Sequence, residues 1–179
     1  PHLLFNTINN IDTLILRSPV VASNYLNKLS DILRFVLYET KGDSIPLSQE
    51  ISYIEKYIDL QKIRTSNEEY VSFEVSGDAE GKSIAPMVFI PFIENAFKHT
   101  NNKKLEHAIS IRIVIRSKSV DLHCENKYDS KLIKSTDNGG GLGNDLVQKR
   151  LDLIYKGRHS LEVTNQEDLY TVNLTIPSE

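Results

Sequence analysis

The segment Pro91-Phe92-Ile93-Glu94-Asn95-Ala96-Phe97-Lys98-His99 reads as helical, which puts Asn95, Lys98 and His99 on one side at i, i+3 and i+4. An amide oxygen, an ammonium and an imidazole on one face suit a metal-bridged polyphosphate: the amide ligates Mg²⁺ and the cations offset phosphate charge. A merely solvated polar face is the competing account, since charge patterns usually just solvate. The run Gly139-Gly140-Gly141-Leu142-Gly143 opens into another helical pattern. Free backbone N–H groups at a helix start, with the positive end of the dipole, are a physical means of holding phosphate. A flexible glycine loop explains the same letters. Arg150, two turns further on, is either a phosphate partner or a surface charge.

Two more positions belong with these. In Val120-Asp121-Leu122-His123-Cys124-Glu125-Asn126 the alternation that sends Val120, Leu122 and Cys124 inward sends Asn126 inward too, where its amide could bond a base edge or simply end the strand. His2 heads a helix whose apolar face is supplied by other residues, and Asn6 lies one turn on, where its amide could orient the imidazole or a water. A solvated histidine is the alternative. His2, His99, His107, His123 and His159 show no close ligand spacing beyond the His123-Cys124 pair, which argues against zinc.

The elements that must position these groups follow from periodicity. Leu4, Ile8, Ile11 and Ile15 recur at helical spacing until Ser18-Pro19. A second stripe through Tyr25, Leu29, Ile32 and Val36 is widened by Leu26, Leu33 and Leu37 and ends at Lys41-Gly42-Asp43-Ser44. A third follows Pro46, with Glu50 in its first turn and Ile51, Ile54 and Ile58 as its stripe, reaching about Arg64. After Ser66-Asn67 the period becomes two, in Val71, Phe73 and Val75, and Gly77-Asp78 closes that strand. The change of period sets the expected division: a helical segment over 1–65 and a second domain over 66–179.

In the second part a helix is expected from Pro86 to Thr100, kinked at Pro91 because that residue lacks the N–H that would bond the carbonyl of residue 87. Two strands carry Ile109 to Ile115 and Val120 to Cys124. Tyr128 to Asn138 is a polar loop, and Lys127 to Gly143 is expected to act as a lid that is mobile without ligand. Leu146, Val147, Leu151 and Ile154 give a helix, and a hairpin sets Leu161 and Val163 against Tyr170 to Ile176. The fold class is α+β: a helical hairpin or bundle followed by a mostly antiparallel sheet with helices on one face.

Composition narrows the partners. A net charge of −3 over 179 residues offers no basic field for nucleic acid or anionic membrane. A single cysteine excludes an internal disulfide framework. No apolar run nears the roughly 20 residues that span a bilayer. Pro1-His2 already lies inside an apolar helical pattern, as expected of a piece cut from a longer protein.

In this order the segments resemble the LytS/YehU-type sensor histidine kinases over nearly the whole chain. Pro1-His2-Leu3-Leu4-Phe5-Asn6 is similar to that family's phosphoacceptor box, P-H-[FL]-[LM]-F-N. Pro46-Leu47-Ser48-Gln49-Glu50, continuing through Tyr57-Ile58-Asp59-Leu60-Gln61-Lys62-Ile63-Arg64, is similar to its connector helix. Pro91 to His99 resembles its N box, and Gly139 to Leu151 its last glycine box. The resemblance implies a Bergerat-type ATPase fold, ATP and Mg²⁺ as cofactors, and homodimerisation through the helical segment. It implies transfer from His2 to an aspartate on a response regulator receiver domain. Implied as catalytic are His2, Asn6 and Glu94; as cofactor-binding Asn95, Lys98, His99, Asn126, Gly139, Gly141, Gly143 and Arg150; as the metal ligand Asn95. It further implies the cytoplasmic portion of an inner-membrane sensor, touching membrane only through segments absent from this chain. Two positions depart from the family. Asn126 stands where it has an adenine-reading Asp, followed by Lys127 and Tyr128, and Asn144 and Leu146 stand where it has Leu and Asn. An amide oxygen still accepts from the adenine amino group. A degenerate nucleotide-binding interaction module is the second reading, and another ATPase of the same fold a third, though the latter has no reason to carry the His2 box.

Overall fold

The computed structural model describes residues 2–63, 67–100, 105–128, 140–166 and 168–179, without the side chains of 2–7, 9–10, 68 and 140–144. Helices α1 (His2–Arg17) and α2 (Pro19–Tyr38) pack together as a hairpin. Pro19 takes the first turn of α2, where its missing N–H costs nothing because N–H groups there have no intrahelical acceptor. Helix α2 buries Ala22, Tyr25, Leu29, Ile32 and Phe35. Leu26 and Leu37, expected to widen that stripe, are instead 54% and 57% exposed, because a stripe is only as wide as the neighbours that cover it.

Helix α3 (Leu47–Lys62) follows the two-residue strand β1 (Ile45–Pro46) and buries Leu47, Glu50, Tyr53, Ile54, Tyr57, Ile58 and Leu60. It joins α2 through the stacked rings of Phe35 and Tyr53, 4.5 Å apart. The expected division at 65/66 falls on residues 64–66, outside the described residues. Beyond it come β2 (Val71–Ser76) and β3 (Ser83–Ile84). Strand β3 pairs antiparallel with β1, a contact too short to leave a period in the sequence.

Helix α4 (Ile90–His99), β4 (Ile109–Ile115), β5 (Ser119–Lys127), α5 (Gly140–Tyr155), β6 (Ser160–Gln166) and β7 (Leu169–Pro177) complete the fold. The main sheet has the order β2-β4-β5-β7-β6, parallel between β2 and β4 and antiparallel elsewhere. Register stacks the inward side chains in rows: Ile111 beside Cys124 and Val172, Ile113 beside Leu122 and Leu174. Helix α4 covers these rows with Ile90, Phe92, Ile93 and Ala96, and α5 adds Leu151 and Tyr155. The opposite face is polar, with His123 bonded to Asn173 at 2.7 Å and Thr175 to Asp121 at 2.9 Å. The fold is α+β, and one buried cluster runs from Ile11 and Tyr25 through α3 to the sheet.

Two local expectations change. Helix α4 starts at Ile90 and not at Pro86, so Pro91 sits in its first turn, where it ends no hydrogen bond and imposes no kink. Leu146 is 71% exposed, because the buried side of α5 runs through Leu151 and Tyr155, with Val147 and Ile154 partly buried beside them.

Candidate functional site

The buried stripe of α4 leaves Glu94 and Lys98 exposed and Asn95 and His99 half-buried on its other side. The spacing expected of Asn95, Lys98 and His99 is therefore realised on one helix. Thr100 stops the helix by bonding the Ala96 carbonyl through both its N–H, at 3.1 Å, and its hydroxyl, at 2.7 Å. Among the described residues neither Asn95 nor Lys98 spends its side chain on a hydrogen bond or ion pair. Glu94 is exposed as a residue, yet its neighbours desolvate the carboxyl enough to raise its pKa. Tyr53 of α3 senses it: burial first, then the charges of Glu94 and Glu50, push that phenol upward.

Helix α4 lies over β5, with the Cys124 thiol 3.9 Å from the Phe92 carbonyl. Two residues along the same inward face is Asn126, 2% exposed, with an Nδ2 that has no hydrogen-bond partner among the described residues. An unpaired buried amide donor costs about 1–3 kcal/mol, so its presence calls for an explanation.

Arg150 is brought to the start of α4. Its Nη1 donates to the Met87 carbonyl at 3.0 Å and its Nη2 to the Pro86 carbonyl at 2.7 Å. Gly141 and Gly143 lie within the first turn of α5, which begins at Gly140, and not in a loop ahead of it. The first N–H groups of a helix lack intrahelical acceptors, so Gly141 keeps its backbone donor, whereas the N–H of Gly143, the fourth residue, closes the first turn. Gly139 and most of the expected lid, residues 129–139, lie outside the described residues, as do the side chains of His2 and Asn6, whose backbones belong to α1.

Periodicity alone does not assign a role to Glu50. Its carboxylate is fully buried, and it accepts from the Met87 N–H at 2.8 Å through Oε2 and from the Phe89 N–H at 3.4 Å through Oε1. Desolvation raises its pKa, opposed by the Met87, Phe89 and Val88 N–H groups and by Arg150. On the far side of this turn the Tyr155 hydroxyl accepts from the Ala85 N–H at 3.4 Å. Met87 itself has φ +55°, a conformation side chains resist and surrounding contacts must impose. The signal for Glu50 was its place three residues after Leu47 and four before Ile54, on the buried side of α3.

Residues 1–69 match the family described as Histidine kinase. An uncharacterized sensor-like histidine kinase of Staphylococcus epidermidis is 35% identical over 124 residues, 69% of this chain and 24% of that protein. The sensor protein kinase HptS of Staphylococcus aureus is 36% identical over 128 residues, 70% of this chain and 24% of that protein. The chain thus spans about a quarter of the length of these curated relatives. The catalytic domain of the histidine kinase ThkA shares the fold, with a TM-score of 0.51 at 15% identity over 75% of this chain and 95% of that one. A family match at one end, relatives along two thirds of the chain and a shared catalytic-domain fold agree, and the chain belongs to the sensor histidine kinases.

Proposed function

We propose that the chain is an ATP-dependent protein-histidine autokinase that phosphorylates His2 and passes the phosphoryl group to an aspartate of a response regulator receiver domain. The observation that carries this reading is the pairing of two features: Asn95 and Lys98 without side-chain partners among the described residues on α4, and the buried Asn126 Nδ2, likewise unpartnered among the described residues, on the strand that α4 covers. The donor set fits Mg-ATP. Asn95 Oδ1 is a hard oxygen ligand of the kind Mg²⁺ takes, and Lys98 with His99 offsets phosphate charge. The Asn126 amide has both an acceptor for an adenine amino group and a donor for a ring nitrogen. The free first-turn N–H of Gly141, with Gly139 ahead of it and the side-chain-free backbone of Gly143 letting phosphate approach, and the remaining donors of Arg150 suit the triphosphate. Bound Mg-ATP supplies the γ-phosphoryl group.

The chain's own residues then have distinct tasks. The His2 imidazole is the nucleophile, and Asn6 one turn away orients it or a water. Glu94, whose crowded carboxyl holds a proton more readily than an ordinary one, takes the proton given up by the ring. Homodimerisation through α1 and α2 is supported by the apolar side chains they leave uncovered, Leu16 at 89% and Val20 at 74% exposure among them. No described helix is long and apolar enough to cross a membrane. Placement as the cytoplasmic portion of an inner-membrane sensor accordingly rests on segments beyond this chain.

Incubating a longer version of the chain with γ-labelled Mg-ATP tests the reading. Acid-labile, base-stable label on His2, lost in Asn95→Ala while circular dichroism is unchanged, is the expected result. Nucleotide binding with no label on the protein favours the degenerate interaction module. Full turnover and unaltered Mg-ATP affinity in Asn95→Ala sinks the ligand assignment.

A further inference from the structure

The turn over Ala85–Phe89 is gripped from two sides. Helix α3 holds it through Glu50, which spends one carboxylate oxygen on each of the Met87 and Phe89 N–H groups. Helix α5 holds it through Arg150 on the Pro86 and Met87 carbonyls and through the Tyr155 hydroxyl on the Ala85 N–H. Phe89 is the residue that caps α4, so the direction of this turn sets the direction of the helix that bears Asn95.

We propose that Glu50 and Arg150 are positioning residues that join the packing of α3 and the occupancy of the α4–α5 site into one linked equilibrium, with the Ala85–Phe89 turn as the joint. The inference rests on the reading of that site as a nucleotide site. Glu50 is fully buried, and withdrawing it from the turn leaves an uncompensated charge and two orphaned N–H groups. Helix α3 and the turn therefore move together or not at all. Arg150 is exposed, so its guanidinium has room to re-aim. Its position on α5, two turns from the glycines, lets a ligand at the head of that helix change the hold on the turn. Contacts further along repeat the connection, since the Tyr57 ring meets Phe97 edge-on at 5.7 Å. By thermodynamic reciprocity, whatever re-packs α3 must alter nucleotide affinity by the same factor that nucleotide alters α3.

Hydrogen exchange of the chain, with and without Mg²⁺ and a non-hydrolysable ATP analogue, tests the joint. In the wild type, saturating analogue is expected to slow exchange in α4, α5 and also α3, the last by about fivefold or more, the lower range of allosteric coupling. In Glu50→Gln, α4 and α5 still respond to the analogue and α3 does not. Arg150→Met, at a concentration that saturates α4 protection, gives the same loss and serves alone if Glu50→Gln does not fold. A purely structural Glu50 would shift α3 exchange by one factor with or without nucleotide, which overturns the proposal. So does a wild-type α3 that ignores the analogue while α4 and α5 respond. Absence of any response at α4 and α5 in the wild type overturns the nucleotide reading itself and the inference with it.

Discussion

Glu50 Oε2 lies 2.8 Å from the Met87 nitrogen, inside a position with no solvent exposure. Burial raises its pKa in the folded chain despite the N–H groups and the guanidinium that favour its charged form. The folded protein then holds this proton to a higher pH than the unfolded chain does. Stability from this group is complete below the unfolded value and declines as pH rises from the ordinary glutamate range through the raised one. Urea denaturation across about pH 4 to 7 should show that decline in the wild type and a flatter curve in Glu50→Gln. Glu94 contributes with the same sign in both proteins, so the difference between the curves isolates Glu50. Parallel curves would remove Glu50 as its source.

Gly77 closes β2 with φ +95°, and a Cβ there would lie 2.2 Å from the Ile115 carbonyl oxygen. Both the backbone conformation and the contact oppose any side chain, and the carbonyl belongs to a paired strand that has little room to retreat. Gly77→Ala should destabilise the protein by about 1–3 kcal/mol or more, measured as a lower urea midpoint at unchanged m-value. A midpoint within error of wild type would mean that the edge of the sheet yields freely.

How far the sequence discloses this molecule depends on the length of the pattern that each feature leaves. The strands from Ile109 to Ile115 and Val120 to Cys124 alternate over many residues, and the register follows that alternation. Asn126 was legible as an inward residue for the same reason. The β1–β3 pair spans two residues in each strand, less than any period can reveal. Helix α4 starts later than its apolar run suggests because Pro86 to Phe89 is held as a turn by side chains 37 to 64 residues away. Arg150 reads as a phosphate partner or a surface charge from its place after the glycines, whereas its link to Pro86 and Met87 is purely tertiary. Glu50 carried a helix-start signal that masked its burial, although its spacing from Leu47 and Ile54 pointed inward.

Cys124 is 2% exposed, and burial first, then the charge of Glu125, pushes its pKa up to about 12. The thiolate is the reactive form, so at pH 8 only about one thiol in ten thousand is poised to react. The native protein should resist a disulfide reagent such as dithionitrobenzoate, and the urea-unfolded chain should react at once. Because Cys124 lies under the Phe92 carbonyl at the start of α4, a native labelling rate that follows unfolding would also report how firmly α4 is seated. Rapid stoichiometric labelling of the folded protein would contradict this packing.

If His2 is the phosphoacceptor proposed above, it needs one neutral ring nitrogen aimed at the γ-phosphate and the other held by a partner, since positioning and charge stabilisation supply most of the catalysis in phosphoryl transfer. The next residue is Leu3, so no adjacent carboxylate is supplied by the sequence. Asn6 is the nearest polar residue of α1, one helical turn on. Its amide has two possible tasks with different kinetic signatures. If it fixes the imidazole tautomer, Asn6→Ala slows autophosphorylation. If it positions the water that hydrolyses the phosphorylated response regulator, Asn6→Ala leaves autophosphorylation near the wild-type rate and chiefly slows regulator dephosphorylation. Resemblance to other histidine kinases, in which an amide or hydroxyl four residues past the histidine serves the phosphatase step, favours the second outcome. His2→Gln should remove label entirely while nucleotide affinity, followed by titration calorimetry, stays as in the wild type, because His2 belongs to α1 and not to the α4–α5 site. Label that persists on another histidine of His2→Gln would overturn the nucleophile assignment, and with it both roles considered for Asn6.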